Sequence, residues 1–229
     1  MEGKGTEMRR TIFLVFLLFV VSWSVSGLAG EDMGSLMPRI QEKYAGLEAA
    51  TASYTRDVIT RSMSMMGMQT SGDLATGRLF FQLPHFIRME QETPTHEILV
   101  SDGVVLLWYL PEKKTLYKYP AEKFGKELTV LRDLFRGLNK VEKRFHVDLL
   151  EKTETGAFRL KLTPDPPWEQ VDYLIVSLSS TLEIQGLDIY NPFGGVTRFT
   201  IKGLKAAGPF EKDFFKLEVP EDTKVIQEN

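Results

Sequence analysis

Few residues in this chain have types and spacings that could do chemistry. The histidines His85, His96 and His146 share no spacing, and no carboxylates cluster with them as zinc motifs require. No metal centre is expected from them. Met63, Met65, Met66 and Met68 form a denser group. Thioethers are soft ligands for Cu(I), but unbranched methionines equally line adaptable apolar surfaces or fill ordinary packing. On a regular strand Met63 and Met65 would share one face and Met66 and Met68 the other, with Gly67 marking a bend, which favours packing or a ligand mouth. No Gly-x-Ser-x-Gly or Ser-x-x-Lys arrangement with supporting partners is present, and Gly194-Gly195 follows Asn191-Pro192 as a turn before a strand. Asp165 and Asp172 could pair only at a defined separation, which spacing does not supply. These residues predict neither an enzyme nor a cofactor.

The elements that would position any site come from 229 residues, 43% hydrophobic and 26% charged, without cysteine. Such a composition excludes a disordered tail, a multi-pass membrane protein and a disulfide scaffold. With 28 basic against 31 acidic residues there is no cationic excess to attract nucleic acid. Residues 1–29 read as a secretory signal peptide: Lys4, Arg9 and Arg10 precede an apolar run from Thr11 to Val21, and Gly27-Leu28-Ala29 offers a cleavage site. The run is short of the roughly 20 residues a spanning helix needs. Residues 30–229 are expected to form one domain.

Leu36, Met37, Ile40, Tyr44 and Leu47 recur at helical spacing within Ser35–Leu47, as do Leu128, Leu131, Leu134, Phe135 and Leu138 within Lys126–Asn139. Elsewhere the period stays near two. Alternation predicts a long strand from Ala52 through Met68, and further strands up to Phe215–Val219, ten or eleven in all, with Asp102-Gly103 as a hairpin signal. Locally connected strands with two short helices predict a mainly β (α+β) fold: an incomplete, strongly curved antiparallel β-barrel with the helices over its concave face. Its interior is either a packed core or a lipid-sized cavity; periodicity does not distinguish them.

Several stretches resemble the periplasmic lipoprotein carriers of the LolA family. They are Ala52-Ser53-Tyr54-Thr55, the run Gly72 to Arg88 with its glycine, strand, proline and aromatic, Ile98 to Gly103 followed by Leu107-Trp108-Tyr109-Leu110-Pro111, and the ending Phe215 to Ile226. The resemblance implies a shuttle that receives acylated lipoproteins from an inner-membrane ATP-driven (ABC) releasing complex. It would shield their acyl chains and deliver them to an outer-membrane acceptor, as a monomer, in the periplasm. An envelope sensor or structural module of the same fold is the alternative. Cavity positions implied are Tyr54, Met65, Phe81, Phe86, Trp108, Tyr109, Leu131, Leu134 and Phe135. The family carries a lid-holding arginine before its proline; here Leu83 precedes Pro84, so Leu83, Pro84 and the nearby Arg88 are the latch candidates.

Overall fold

The computed structural model describes residues 32–66, 73–120 and 126–227. The leader read at 1–29, and Gly67 and Met68 of the methionine group, lie outside the described residues. Helix α1 (Met33–Tyr44) starts where the Asp32 carboxylate accepts the Ser35 backbone N–H at 2.8 Å, satisfying a donor the helix cannot. It buries Leu36, Ile40 and Tyr44, the stripe its sequence spells out. There follow β1 (Ala49–Ile59), α2 (Arg61–Met65), β2 (Asp73–Gln82), β3 (Phe86–Thr93), β4 (Glu97–Ser101), β5 (Val105–Leu110) and β6 (Thr115–Pro120). Helix α3 (Lys126–Phe135) separates these from β7 (Phe145–Lys152), β8 (Phe158–Pro164), β9 (Tyr173–Leu178), β10 (Ile184–Tyr190), β11 (Val196–Ala207) and β12 (Lys224–Gln227).

The twelve strands among the described residues form one sheet in the order β12-β6-β5-β4-β3-β2-β1-β11-β10-β9-β8-β7. This corrects the strongly curved, incomplete antiparallel barrel expected from sequence. The sheet is open and not strongly curled, its outer strands β12 and β7 are unpaired with each other, and β12 runs parallel to β6. A barrel removes its edges by pairing them. Here both edges are blunted instead: β12 has only four residues, and β7 carries a bulge between Leu149 and Glu151 together with the charged Asp148, Glu151 and Lys152.

Two local expectations also change. The strand read through Met68 stops at Ile59, because Thr60 Oγ1 accepts the Met63 N–H at 3.4 Å and starts α2. Phe215–Val219 is not a strand: Phe210, Phe214 and Phe215 belong to an irregular strap from β11 to β12 that crosses Phe80 and Phe86. There Arg88 donates to the Phe214 carbonyl at 3.1 Å and pairs with Glu90 at 2.7 Å.

Strand partners opposite one another share a face, so register divides the sheet. One face presents Ala50, Ala52 and Tyr54 of β1, Leu79 and Phe81 of β2, Ile87 and Met89 of β3, and Leu160, Leu162, Leu174, Val176 and Leu187 farther on. These pack with α1 and with Val130, Leu131, Leu134 and Phe135 of α3 into one core. Gly137, at φ +65°, ends α3 against α1: a Cβ there would sit 2.9 Å from both the Gln41 Cα and the Ile40 carbonyl oxygen. Asp133, buried beside it, pairs with Arg144 and Arg132.

Candidate functional site

On the apolar face, small residues on β2 create a hollow. Ala75 lies opposite Arg56, and Gly77 lies between Tyr54 of β1 and Gln91 of β3, so the row that should carry a side chain has none. The resulting cleft, of roughly 230 Å³, is lined by Tyr54, Arg56, Met89, Gln91, Glu97, Leu99 and Trp108. Its floor is apolar and its charged groups stand toward the ends of β1 and β4. Trp108 Nε1 donates to Glu97 at 2.9 Å, while the other Glu97 oxygen accepts from Thr95 Oγ1 at 3.0 Å. Gln91 Nε2 donates to the Thr95 carbonyl at 3.0 Å. This network braces the β3–β4 turn and fixes the indole, whose other neighbour is Tyr117, with ring centroids 5.4 Å apart. A second hollow of roughly 530 Å³ lies farther along the sheet between α1 and edge strand β7, lined by Met33, Met37, Val141, Phe145 and Val147 among others.

Burial pushes the Tyr54 phenol up to about 12 from 10.0, Glu97 and Glu92 adding to the rise while the Arg56 charge opposes it. The folded protein therefore prefers the neutral phenol more than the unfolded chain does. That stability is complete below pH 10 and is lost as pH climbs through about 12. Tyr54→Phe is expected to flatten part of this alkaline decline in a urea-midpoint series, and an unchanged decline would refute the burial of the phenol. Tyr44, also raised by burial, supplies a remainder that the variant leaves in place.

Of the nine positions picked from sequence, the structure brings Tyr54 and Trp108 together in the cleft. Phe81, Leu131, Leu134 and Phe135 are buried in the adjoining core, with the Phe81 and Phe135 rings 5.3 Å apart. Phe86 and Tyr109 fall on the opposite face: Phe86 packs on Phe215, and Tyr109 is buried opposite Leu116. Met65 is exposed on α2. Leu83 is half-buried and donates its N–H to the Glu48 carbonyl at 2.8 Å, lining a hollow with Tyr44, Leu47, Arg136 and Asn139. Pro84 follows it in the β2–β3 turn, whereas Arg88 is committed to the strap on the far side. Met89, Leu99 and Glu97 lie in the cleft but were not singled out from sequence. Their signal was the alternation of β3 and β4 once register is known.

The outer membrane lipoprotein carrier protein LolA model matches residues 63–218, more than half of the chain. The chain belongs to the LolA family. It is 26% identical over 221 residues to the outer-membrane lipoprotein carrier protein of Nitrosospira multiformis, covering 95% of this chain and 96% of that one. With the carrier protein of Pseudomonas entomophila it shares 24% over 220 residues, covering 96% and 100%. A crystal structure of an uncharacterized conserved protein from Thermus thermophilus superposes with a TM-score of 0.51 at 12% identity, over 84% of this chain and 97% of that one, a likeness of fold alone. LolA family membership implies a periplasmic setting and a role in handling lipoproteins, and its members are carriers rather than catalysts. Among the described residues no group of three or more His, Asp or Glu could hold a metal ion.

Proposed function

We propose that this protein is a periplasmic carrier that shelters lipoprotein acyl chains against the apolar face of its sheet and moves them from the inner to the outer membrane. The observation that carries this reading is the cleft beside Gly77, where Tyr54, Met89, Leu99 and Trp108 wall an apolar hollow on the sheet face that α1 and α3 pack against. At roughly 230 Å³ it is smaller than the ~300–1,000 Å³ of ordinary ligand pockets, so multiply acylated cargo requires α3 to withdraw from Phe81. Leu131, Leu134 and Phe135 then exchange packing on the sheet for packing on the acyl chains. Each methylene buried returns about 0.8 kcal/mol, and the self-packing of α3 offsets that gain, which keeps the cargo releasable. Leu83, where the helix ends meet the sheet, serves as an apolar latch. An inner-membrane ABC complex supplies the cargo and an outer-membrane acceptor takes it, with the carrier acting as a monomer.

Native mass spectrometry of residues 30–229 with a triacylated lipoprotein and its delipidated form tests this. A 1:1 complex with the acylated form alone is expected. A folded protein that shows no acyl-dependent binding would overturn the carrier reading.

A further inference from the structure

Four of the seven most exposed large apolar side chains among the described residues gather at one end of the sheet. They are Met65 at 78% exposure, Met66 at 65%, Phe193 at 79% and Leu74 at 53%. They arrive from three elements. Met65 closes α2 and Met66 follows it, Phe193 sits in the β10–β11 turn, and Leu74 is the second residue of β2. The pairing of Ile59 with Val196 sets α2 beside that turn. The two are in contact, since a Cβ on Gly194 would lie 3.2 Å from Arg61 Cδ. Between them is a hollow of roughly 330 Å³ lined by Val58, Ile59, Arg61, Phe193 and Val196 among others.

A soluble surface rarely gathers such side chains without something to cover them. Charge selects the occupant. From Ser62 to Met66 the chain has no charged residue and three methionines, preceded by Arg61. Moving this segment into hydrocarbon strips no ion of water, while a guanidinium at its base matches the phosphates of a lipid headgroup layer. Continuity points the same way. Arg56 lines the cleft and Val58, the next residue on that face of β1, lines the tip hollow. We infer that this end of the sheet is a membrane-contacting tip, with Met65, Met66 and Phe193 entering the acyl layer of a bilayer and Arg61 at the level of its phosphates. The inference stands on the exposed side chains and does not require the cargo reading.

The chain has no cysteine, so one can be placed and labelled uniquely. Phe193→Cys carrying an environment-sensitive NBD probe reports on the tip. Val104→Cys, 72% exposed in native form and located in the β4–β5 turn at the other end of the strands, is the control. With phosphatidylcholine vesicles, with or without phosphatidylglycerol, the probe at 193 is expected to shift blue and brighten while that at 104 does not. Met65→Asp with Met66→Asp, in the 193-labelled chain, should weaken vesicle partition at least roughly tenfold. If that double variant fails to fold by circular dichroism, the two probe positions in the otherwise native chain still decide the matter. No response at 193, equal response at both positions, or a partition unchanged in a folded double variant would overturn the inference. So would a concentration-dependent shift at 193 without vesicles, which would assign the patch to a second copy. Binding confined to phosphatidylglycerol, lost on Arg61→Gln and indifferent to the methionines, would also overturn it.

Discussion

Phe135→Ala is expected to lower the free energy of unfolding by about 3–5 kcal/mol, read as a lower urea midpoint at unchanged slope. Phe135 is fully buried and its ring lies 5.3 Å from that of Phe81 at 33°. Around it Leu131, Leu134 and Leu138 hold α3 on the sheet, and Gly137 pins the helix end against α1, so the void left by the ring has little means of collapsing. Against a total stability of about 5–15 kcal/mol the loss is large. Phe81→Ala in the same background should recover about 0.5–1.5 kcal/mol of coupling, the part due to the ring pair. A loss below about 1 kcal/mol would mean that α3 is not held by this ring.

Gly77→Ala is expected to be more disruptive than its single methyl suggests. A Cβ there would lie 2.2 Å from the Glu90 carbonyl oxygen and 2.9 Å from the Gln91 Cα, both backbone atoms, so no side chain can move aside. The clash falls where the β2–β3 register shifts, between Thr76 and Gly77. Overpacking ordinarily costs about 1–3 kcal/mol, and here the upper end or beyond is expected. At roughly 2–4 °C per kcal/mol for a chain of this size, differential scanning calorimetry should show a melting temperature lower by about 6–12 °C, or no folded protein. Gly46→Ala is the control: nothing lies within 4 Å of its Cβ position, and its melt should stay near the wild type. Equal effects at the two glycines would refute the close approach of β2 and β3.

The helices were legible because their stripes are strict. Leu36, Ile40 and Tyr44 in α1 and Leu131, Leu134 and Phe135 in α3 are buried as their spacing demanded. The family was legible because its motifs are spread along most of the chain. Openness was not, since alternation tells which residues share a face but not whether the outermost strands meet, and closure depends on pairing between segments as distant as β12 and β7. The cleft was half legible. Aromatics at 54 and 108 could be picked by type, yet the hollow between them depends on what is missing at Gly77. Phe86 and Tyr109 stand on the other side of the sheet from that hollow, because one step of the pleat carries a side chain to the opposite face. Phe210 and Phe214 escaped notice because an irregular strap has no period to detect.

The strand order also constrains how the molecule can be assembled in time. From β2 to β6 each strand bonds to the one just made, but β1 needs β11 on its other side and β6 needs β12, both supplied by the last part of the chain. Closing such long loops carries an entropic cost that contacts nearby in sequence do not, and pairings of this kind slow the search for the native state. A chain delivered from its amino end therefore holds a half-finished hairpin array, with the inner flank of β1 unsatisfied, until its final segment arrives. During that interval it resembles a client of chaperones more than a chaperone.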